Sequence, residues 1–358
     1  MPAFLNWTHV LPLAALLVLA VGMMVPLSGL VVVVASAFLA ATVFAAVHHA
    51  EVVAARVGEP FGTLVLALAV TVLEVSLILS MMLAGGADKA VLPRDTLYAT
   101  VMLICNGVVG ICLLVGGLRH REQSFRIEGS TTGIAALIAL AVFTLILPNY
   151  TTSSEEGTYT GSQLAFVGVA ALLLWSVFVF VQTVRHRDYF LPSAHREDEN
   201  EHAAPPTPAV AVTSFILLAL ALVGVVGLAK LLSPAIESAV ATAGAPAVVV
   251  GIVIAMIVLM PETWAAVRAA LADRLQTSMN LAVGSALATI GLTVPAVVLA
   301  SLLLDLPLVL GLADKDVTLL GLTFLVSAIT LGSGKTNMMQ GAIHLVLFAA
   351  FLFLSLVP

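Results

Sequence analysis

Apolar runs long enough to cross a bilayer follow one another along almost the whole chain, and this pattern leaves few folds open. A spanning helix needs roughly 20 consecutive apolar residues. About eleven such stretches fit: Phe4–Val25, Leu27–Val47, Phe61–Leu83, Thr96–Leu118, Thr131–Leu147, Ser162–Val184, Val210–Leu232, Ala245–Arg268, Thr277–Leu304, Val317–Leu331 and Met339–Leu356. Of the 358 residues, 61% are hydrophobic and 9% charged, which is more apolar surface than a soluble domain of this length can hide. Strand-like alternation is absent, which argues against a barrel. The expected fold class is an all-α integral membrane protein whose partner is the lipid bilayer. The N-terminus lacks the basic region of a signal peptide, so residues 1–26 are expected to form an uncleaved first helix.

Lys and Arg set the orientation. Loops after even-numbered spans hold Arg56, Arg119, Arg121, Arg126, Arg185, Arg187, Arg196, Arg268, Arg274 and Lys335, whereas loops after odd-numbered spans hold Lys89, Arg94, Lys230 and Lys315. That is ten against four, all fourteen basic residues of the chain. The positive-inside rule then places the N-terminus in the cytoplasm and the C-terminus outside. A net charge of −6 carries no nucleic-acid signature. Cys105 and Cys112, about two helical turns apart in one apolar run, read as small core residues.

The largest polar break runs from Arg185 to Pro208 and contains the acids Glu197, Asp198, Glu199 and Glu201. It reads as a solvated linker over residues 185–209, or more sharply as a cytosolic cation-sensing, regulatory segment. Six spans precede it and five follow. Setting the first helix aside leaves five plus five, residues 27–184 and 210–358, as an internal repeat would.

Chemistry inside a membrane has to come from the few polar groups placed there. Of the twenty Asp and Glu residues, only Glu74 and Glu262 are flanked on both sides by apolar sequence that must lie in the bilayer. A charge at a helix centre costs about 2.5–3.5 kcal/mol on insertion scales. A carboxylate escapes that cost by binding a proton or a cation, so two of them are the minimal equipment for exchanging one for the other. The bland alternative is a pair of protonated glutamic acids used as interhelical hydrogen-bond donors. Each glutamate follows a Gly-x-Pro at a similar distance: Pro60 to Glu74 is 14 positions and Pro246 to Glu262 is 16. They fall on the third and eighth spans, which point opposite ways, as an inverted repeat requires. Pro261, directly before Glu262, can free a carbonyl to face an ion. The following spans add neutral oxygens at Asn106, Ser285 and Thr289, the latter two in a stripe with Thr293. Two carboxylates with such oxygens suit a hard cation such as Ca²⁺, which takes six to eight oxygen ligands. Ser and Thr also serve as small packing residues at helix crossings.

Three stretches carry a family resemblance: Gly58–Val75 around Glu74, Arg274–Ala288, and Gly332-Ser-Gly-Lys-Thr-Asn337. On these residues the chain resembles the cation/Ca²⁺ exchanger superfamily, and in particular the bacterial ChaA-type calcium/proton antiporters. The resemblance implies an extra first helix, two inverted five-helix repeats, an acidic cytosolic linker, and one essential glutamate per repeat, matching Glu74 and Glu262. It also implies a multi-pass protein of the bacterial inner membrane that transports Ca²⁺, or Na⁺ and K⁺, against H⁺. Many calcium/proton exchangers carry Gly-Asn shortly before each glutamate; here those places read Ala-Val-Thr-Val-Leu and Val-Leu-Met-Pro.

The alternatives are a Na⁺(K⁺)/H⁺ antiporter of the same fold and, from another class, an intramembrane enzyme or a structural membrane protein. No cofactor or nucleotide is expected, and the oligomeric state is not legible. Gly332-Ser-Gly-Lys335-Thr336 looks like the end of a phosphate loop, yet position 329 is Ile where that motif needs Gly. No His-Glu-x-x-His pattern supports a metalloprotease. His48 and His49 are expected to cap the second helix, with pH sensing as a weaker reading. His344 is expected to be a hydrogen-bonded packing residue.

Overall fold

The computed structural model describes residues 6–58, 61–191, 206–246 and 248–357. The linker acids Glu197, Asp198, Glu199 and Glu201 lie outside the described residues. Nearly all the rest is helical, because hydrocarbon offers the backbone no partner and a helix satisfies its own amides. The long helices are α1 (Trp7–Met24), α2 (Gly29–Val57), α3 (Phe61–Gly85), α4 (Leu92–His120), α5 (Ile127–Tyr150) and α6 (Gly161–Arg185). They continue with α7 (Pro208–Thr242), α8 (Val248–Leu271), α9 (Leu275–Leu304), α10 (Asp314–Gly332) and α11 (Met338–Leu356). Ten of them are long and apolar enough to cross a membrane, and α3 carries a further apolar stretch, Leu68–Leu83. This is the multi-pass architecture that the apolar runs predict. Among the described residues the only strands are β1 (Glu122–Ser124) and β2 (Lys335–Asn337), paired antiparallel. Lys335 and Thr336 therefore belong to a short ribbon.

The break at Pro26 separates two helices: α1 ends at Met24, and Ser28 caps α2. Two helices run ten residues past the ends of their apolar runs. The α2 helix continues past Val47 to Val57 and takes in His48, His49 and Glu51. The α7 helix continues past Leu232 to Thr242 and places Glu237 on a helix. At 1.5 Å per residue, the 35 residues of α7 span about 52 Å, against a hydrocarbon core of about 30 Å. Hydropathy locates the part of a helix that needs lipid and is silent about where the helix stops.

The chain divides into two compact units, Met1–Ala84 with Glu199–Val250, and Gly85–Asp198 with Gly251–Pro358. In the first unit α2 packs antiparallel on α7: Ala46 and Ala50 meet Leu218 and Ala221, while a Cβ on Gly224 would touch the Thr42 methyl at 3.9 Å. His49, fully buried, ties α1 to α2 through a 2.9 Å hydrogen bond between its Nε2 and the Thr8 carbonyl; the helix continues beyond it, so it bridges helices where a cap was expected.

In the second unit α4 runs antiparallel to α9. The end of α4 sits beside the start of α9, with His120 Nε2 3.0 Å from the Leu271 carbonyl and the Arg126 N–H donating to Gln276 Oε1 at 2.7 Å. The N-terminal part of α4 meets Thr289–Thr293. The α5 and α10 helices are antiparallel too: the Leu312 N–H donates to the Leu145 carbonyl at one end, and Gly334 lies against Ile127 at the other. Glycines let α4 and α11 approach closely, Gly107 facing Phe348, Gly110 facing His344 and Leu345, and Gly117 facing Met338. The α6–α9 contact is built alike, with Gly161 against Leu302, Gly168 against Val298 and Gly291 against Trp175.

These pairs map onto themselves when each helix is exchanged for the one five places away. The α2–α7, α4–α9 and α5–α10 pairs are unchanged, and α4–α11 becomes α9–α6. Local signals repeat with the same offset. Gly58 and Gly244 follow α2 and α7 at φ of 78° and 67°, a left-handed turn that glycine adopts without cost. Thr160 and Asn337 open α6 and α11, each in a capping box with a Gln three residues on.

The closeness of α4 and α11 is testable. A Cβ on Gly341 would strike the Leu114 nitrogen, with the Leu114 Cα at 2.8 Å and the Gly110 carbonyl oxygen at 2.9 Å, all backbone, whereas a Cβ on Gly321 meets nothing within 4 Å. Gly341→Ala is expected to lower stability by about 1–3 kcal/mol, read as a lower melting midpoint of the detergent-purified protein. Gly321→Ala should melt within error of the parent.

Candidate functional site

Glu74 sits mid-way along α3 and is 4% exposed, with Leu73, Leu77 and Ile78 buried around it in sequence. It belongs to the first unit. Glu262 lies on α8 in the second unit and is half-buried. Pro261 precedes it inside the helix; with no N–H, it leaves the Ile257 carbonyl without its usual helical donor. Ser285 Oγ on α9 donates to Glu262 Oε1 at 3.4 Å, a long contact beside a carboxylate.

Two of the helices carrying candidate oxygens are not regular where those oxygens are. The α4 helix opens into a π-helical turn over Leu103–Val108, around Asn106. The α9 helix does the same over Thr289–Thr293. A π turn shifts the backbone bonds from i→i+4 to i→i+5 and widens the helix, and it recurs at functional sites. Ser285, Thr289 and Thr293 thus do not form the uniform helical stripe that their spacing predicts: Ser285 is on regular helix, and Thr289 and Thr293 are on the widened turn, buried to 4% and 0% exposure. The Asn106 turn packs against the Leu275–Ala288 segment that carries Ser285.

Asn106 is fully buried and held by a polar network on α10 and α11. Its Nδ2 donates to Thr323 Oγ1 at 2.9 Å. Its Oδ1 is 3.3 Å from His344 Nδ1, and His344 Nε2 is 3.2 Å from Thr330 Oγ1. Thr323 passes its own proton to the Leu319 carbonyl at 2.8 Å. An Asn whose NH₂ is already donating can only accept at Oδ1, so the proton on that contact belongs to His344 Nδ1, and Thr330 donates to Nε2. Of the sequence candidates, the structure therefore brings Glu262 and Ser285 together and commits the Asn106 amide to His344 and Thr323.

Thr323, Thr330 and His344 were not among the expected site residues. The spacing of Thr323 and Thr330 along α10, and the apolar neighbours of His344 on α11, look like packing, and the side-chain partner of each lies on another helix. Gln276 and Asn280, both in the stretch that carries the family resemblance, turn out to pin local structure: Gln276 Nε2 donates to Asn280 Oδ1 at 2.9 Å, and Asn280 Nδ2 donates to the Phe190 carbonyl at 2.6 Å. Cys105 and Cys112 are both buried free thiols, as expected of core residues.

The sodium/calcium exchanger protein family matches residues 27–184 and 213–357. A protein of Sinorhizobium fredii described provisionally as an ionic transporter, y4hA, is 45% identical over 98% of this chain and 96% of its own length. The sodium-potassium/proton antiporter ChaA of Escherichia coli is 32% identical over 86% of this chain and 84% of its own. Among solved structures, YfkE superposes with a TM-score of 0.76 at 17% identity, covering 98% of this chain and all of that one. The H⁺/Ca²⁺ exchanger CAX superposes at 0.71 and 14% identity, covering 97% of this chain and 86% of that one. At such identities the two structures speak for the fold alone, and they have the same one. With its multi-pass helical fold and a family match over both halves, the chain belongs to the sodium/calcium exchanger family, within the cation/Ca²⁺ exchanger superfamily.

Proposed function

We propose that this chain is a secondary cation/proton antiporter in which Glu74 and Glu262 alternate between holding a proton and holding a cation. The observation that carries this reading is the setting of the two carboxylates. Each lies in apolar sequence at the middle of a spanning helix, each follows a Gly-x-Pro turn, and Glu262 already accepts a hydroxyl from Ser285. Asn106, Ser285 and Thr289 supply neutral oxygens, from α4 and α9. Protons and cation compete for the same carboxylate oxygens, so a carrier that moves only when they are occupied exchanges one for the other. The chain is an extra first helix followed by two inverted five-helix repeats, 27–184 and 210–358, joined by the acidic linker 185–209. The self-mapping helix pairs, all antiparallel, support this division. Alternating access follows from two such halves changing places. The protein resides in the bacterial inner membrane, N-terminus in the cytoplasm.

Ca²⁺ is the favoured cargo, because two carboxylates and several neutral oxygens match a divalent hard cation. A Na⁺(K⁺)/H⁺ exchanger is the second reading, favoured by the 32% identity to a sodium-potassium/proton antiporter and by the lack of an Asn just before either glutamate.

Glu74→Gln and Glu262→Gln keep size and hydrogen bonding but lose the ionisable proton. Each should reach the membrane at the parental level yet abolish ⁴⁵Ca²⁺ or ²²Na⁺ exchange in everted vesicles under an imposed pH gradient. In the parent, lowering the pH on the cation-loading side should raise the half-saturating cation concentration, because protons then hold the carboxylates. Near-parental flux in either variant would reduce that glutamate to a hydrogen-bond donor.

Orientation is checked by single cysteines, introduced after removing Cys105 and Cys112, at Arg121 and Asp305. A membrane-impermeant maleimide applied to intact cells should label position 305 and spare position 121; the reverse pattern would invert the topology.

Neutralising Glu197, Asp198, Glu199 and Glu201 together should shift the cation concentration that activates transport while leaving the maximal rate. Complete loss of flux at normal protein level would put the linker in the transport step itself.

A further inference from the structure

We propose that His344 is a positioning residue for transport: through its Nδ1–H it fixes the Asn106 amide with the carbonyl oxygen held in one orientation inside the π turn of α4. The inference rests on the reading of Asn106 as a cation ligand and adds the residue that aims it.

Three observations carry it. The first is the direction of the hydrogen bonds. Asn106 Nδ2 donates at 2.9 Å to Thr323 Oγ1, whose own proton goes to the Leu319 carbonyl, and Oδ1 lies toward His344 Nδ1 at 3.3 Å. With Nδ1 protonated, rotating the amide by half a turn would set its NH₂ against that ring N–H. An amide oxygen accepts twice, so one lone pair remains for a cation when His344 uses the other.

The second is how His344 itself is held. It is fully buried on α11, and its Nε2 is 3.2 Å from Thr330 Oγ1. Its Cβ is where it is because Gly110 has no side chain: a Cβ there would lie 3.1 Å from it. The close α4–α11 approach thus presses the imidazole onto the one turn of α4 whose backbone is irregular.

The third is an unused group. Ser327 lies between Thr323 and Thr330 on α10, is 3% exposed, and its Oγ has no hydrogen-bond partner. Buried hydroxyls are rarely left so. A face of α10 that carries two committed hydroxyls and one spare is more polar than packing requires, in a membrane where a polar group without a task is a cost.

The ring is placed to orient and has no reaction to perform. Both imidazole nitrogens are engaged, Nδ1 with Asn106 and Nε2 with Thr330. Its effect on transport therefore runs through Asn106, and that is what separates it from a residue that merely fills space.

The test is a double-variant cycle in everted vesicles, with Ca²⁺ and Na⁺ each titrated as the driving cation and initial proton flux as the signal. Asn reproduces the Nδ1–H position and Leu removes it. His344→Leu should raise the half-saturating concentration of the transported cation about tenfold, the equivalent of one orienting hydrogen bond, with little change in maximal rate. His344→Asn should restore it to within about twofold, on the same scale. On an Asn106→Ala background, His344→Leu should have no further effect on half-saturation, because the group it aims is gone. Melting midpoints of all four purified proteins report the packing loss separately, and His344→Asn keeps the test open if the Leu variant does not accumulate. Equal rises in half-saturation with and without Asn106 would overturn the positioning role and leave Asn106 a ligand. Parental half-saturation in Asn106→Ala alone would overturn both.

Discussion

An unpartnered backbone amide or carbonyl in hydrocarbon costs several kcal/mol, and the architecture of this protein follows from avoiding that cost. It explains why the described chain is almost wholly helical. It also makes every break in the helical ladder informative, since each break has to be compensated inside the protein. The α4 and α9 helices are interrupted by π turns at Leu103–Val108 and Thr289–Thr293, and α8 by Pro261. Three interruptions thus fall within one residue of a candidate ligand, Asn106 and Thr289 inside their turns and Glu262 after its proline, whereas the π turns at Val142–Ile146 and Val181–Arg185 and the prolines Pro12 in α1 and Pro234 in α7 carry none. The π turns of α4 and α9 lie on helices that pack against each other, where the widened backbone is covered by protein.

Interior polar groups need neighbours close enough to satisfy them, and the neighbours are brought in by glycine. Gly107, Gly110, Gly117 and Gly341 let α4 and α11 approach until side chain meets backbone. Lipid tails are as apolar as leucine, so helices in a membrane gain little by hiding apolar surface and much by close van der Waals contact and interhelical hydrogen bonds. The α4–α11 seam has both. At its counterpart five helices away, α6–α9, Gly161, Gly168 and Gly291 face Leu302, Val298 and Trp175. The same close packing thus recurs in both places.

How much could be read beforehand follows the same physics. Eleven runs, their boundaries to within a few residues, and the placing of Glu74 and Glu262 inside long helices were legible, because the bilayer imposes length and apolarity on local sequence. The ends of α2 and α7 were not: past Val47 and Leu232 the helices leave the region where hydropathy is demanded, and His49 and Glu237 then look like loop residues. The π turns were not read, although each segment holds a glycine, Gly107 and Gly291, that weakens a regular helix. His344 reads as packing because its partners stand 14 and 238 positions away along the chain. Asn106 was found by its polarity, but its commitment to α10 and α11 was not.

That commitment bears on how such a chain could choose its ion. On the proposed reading, the carboxylates set the charge that is exchanged, and any cation can neutralise charge. Discrimination must then come from neutral oxygens, and an oxygen discriminates only if it is held at a fixed distance and angle. A Ser or Thr hydroxyl on a helix rotates freely and returns to the carbonyl one turn back, as Thr144 does to Leu140 at 2.7 Å. An amide tethered at both ends cannot. Asn106 is the one candidate ligand whose side chain is anchored through its nitrogen and its oxygen to two different helices. Where amides are absent before each glutamate, this single anchored oxygen carries more of the burden, and its precision depends on residues far from the carboxylates. Selectivity in this fold would then be adjusted by changing what holds Asn106, with the two glutamates left untouched.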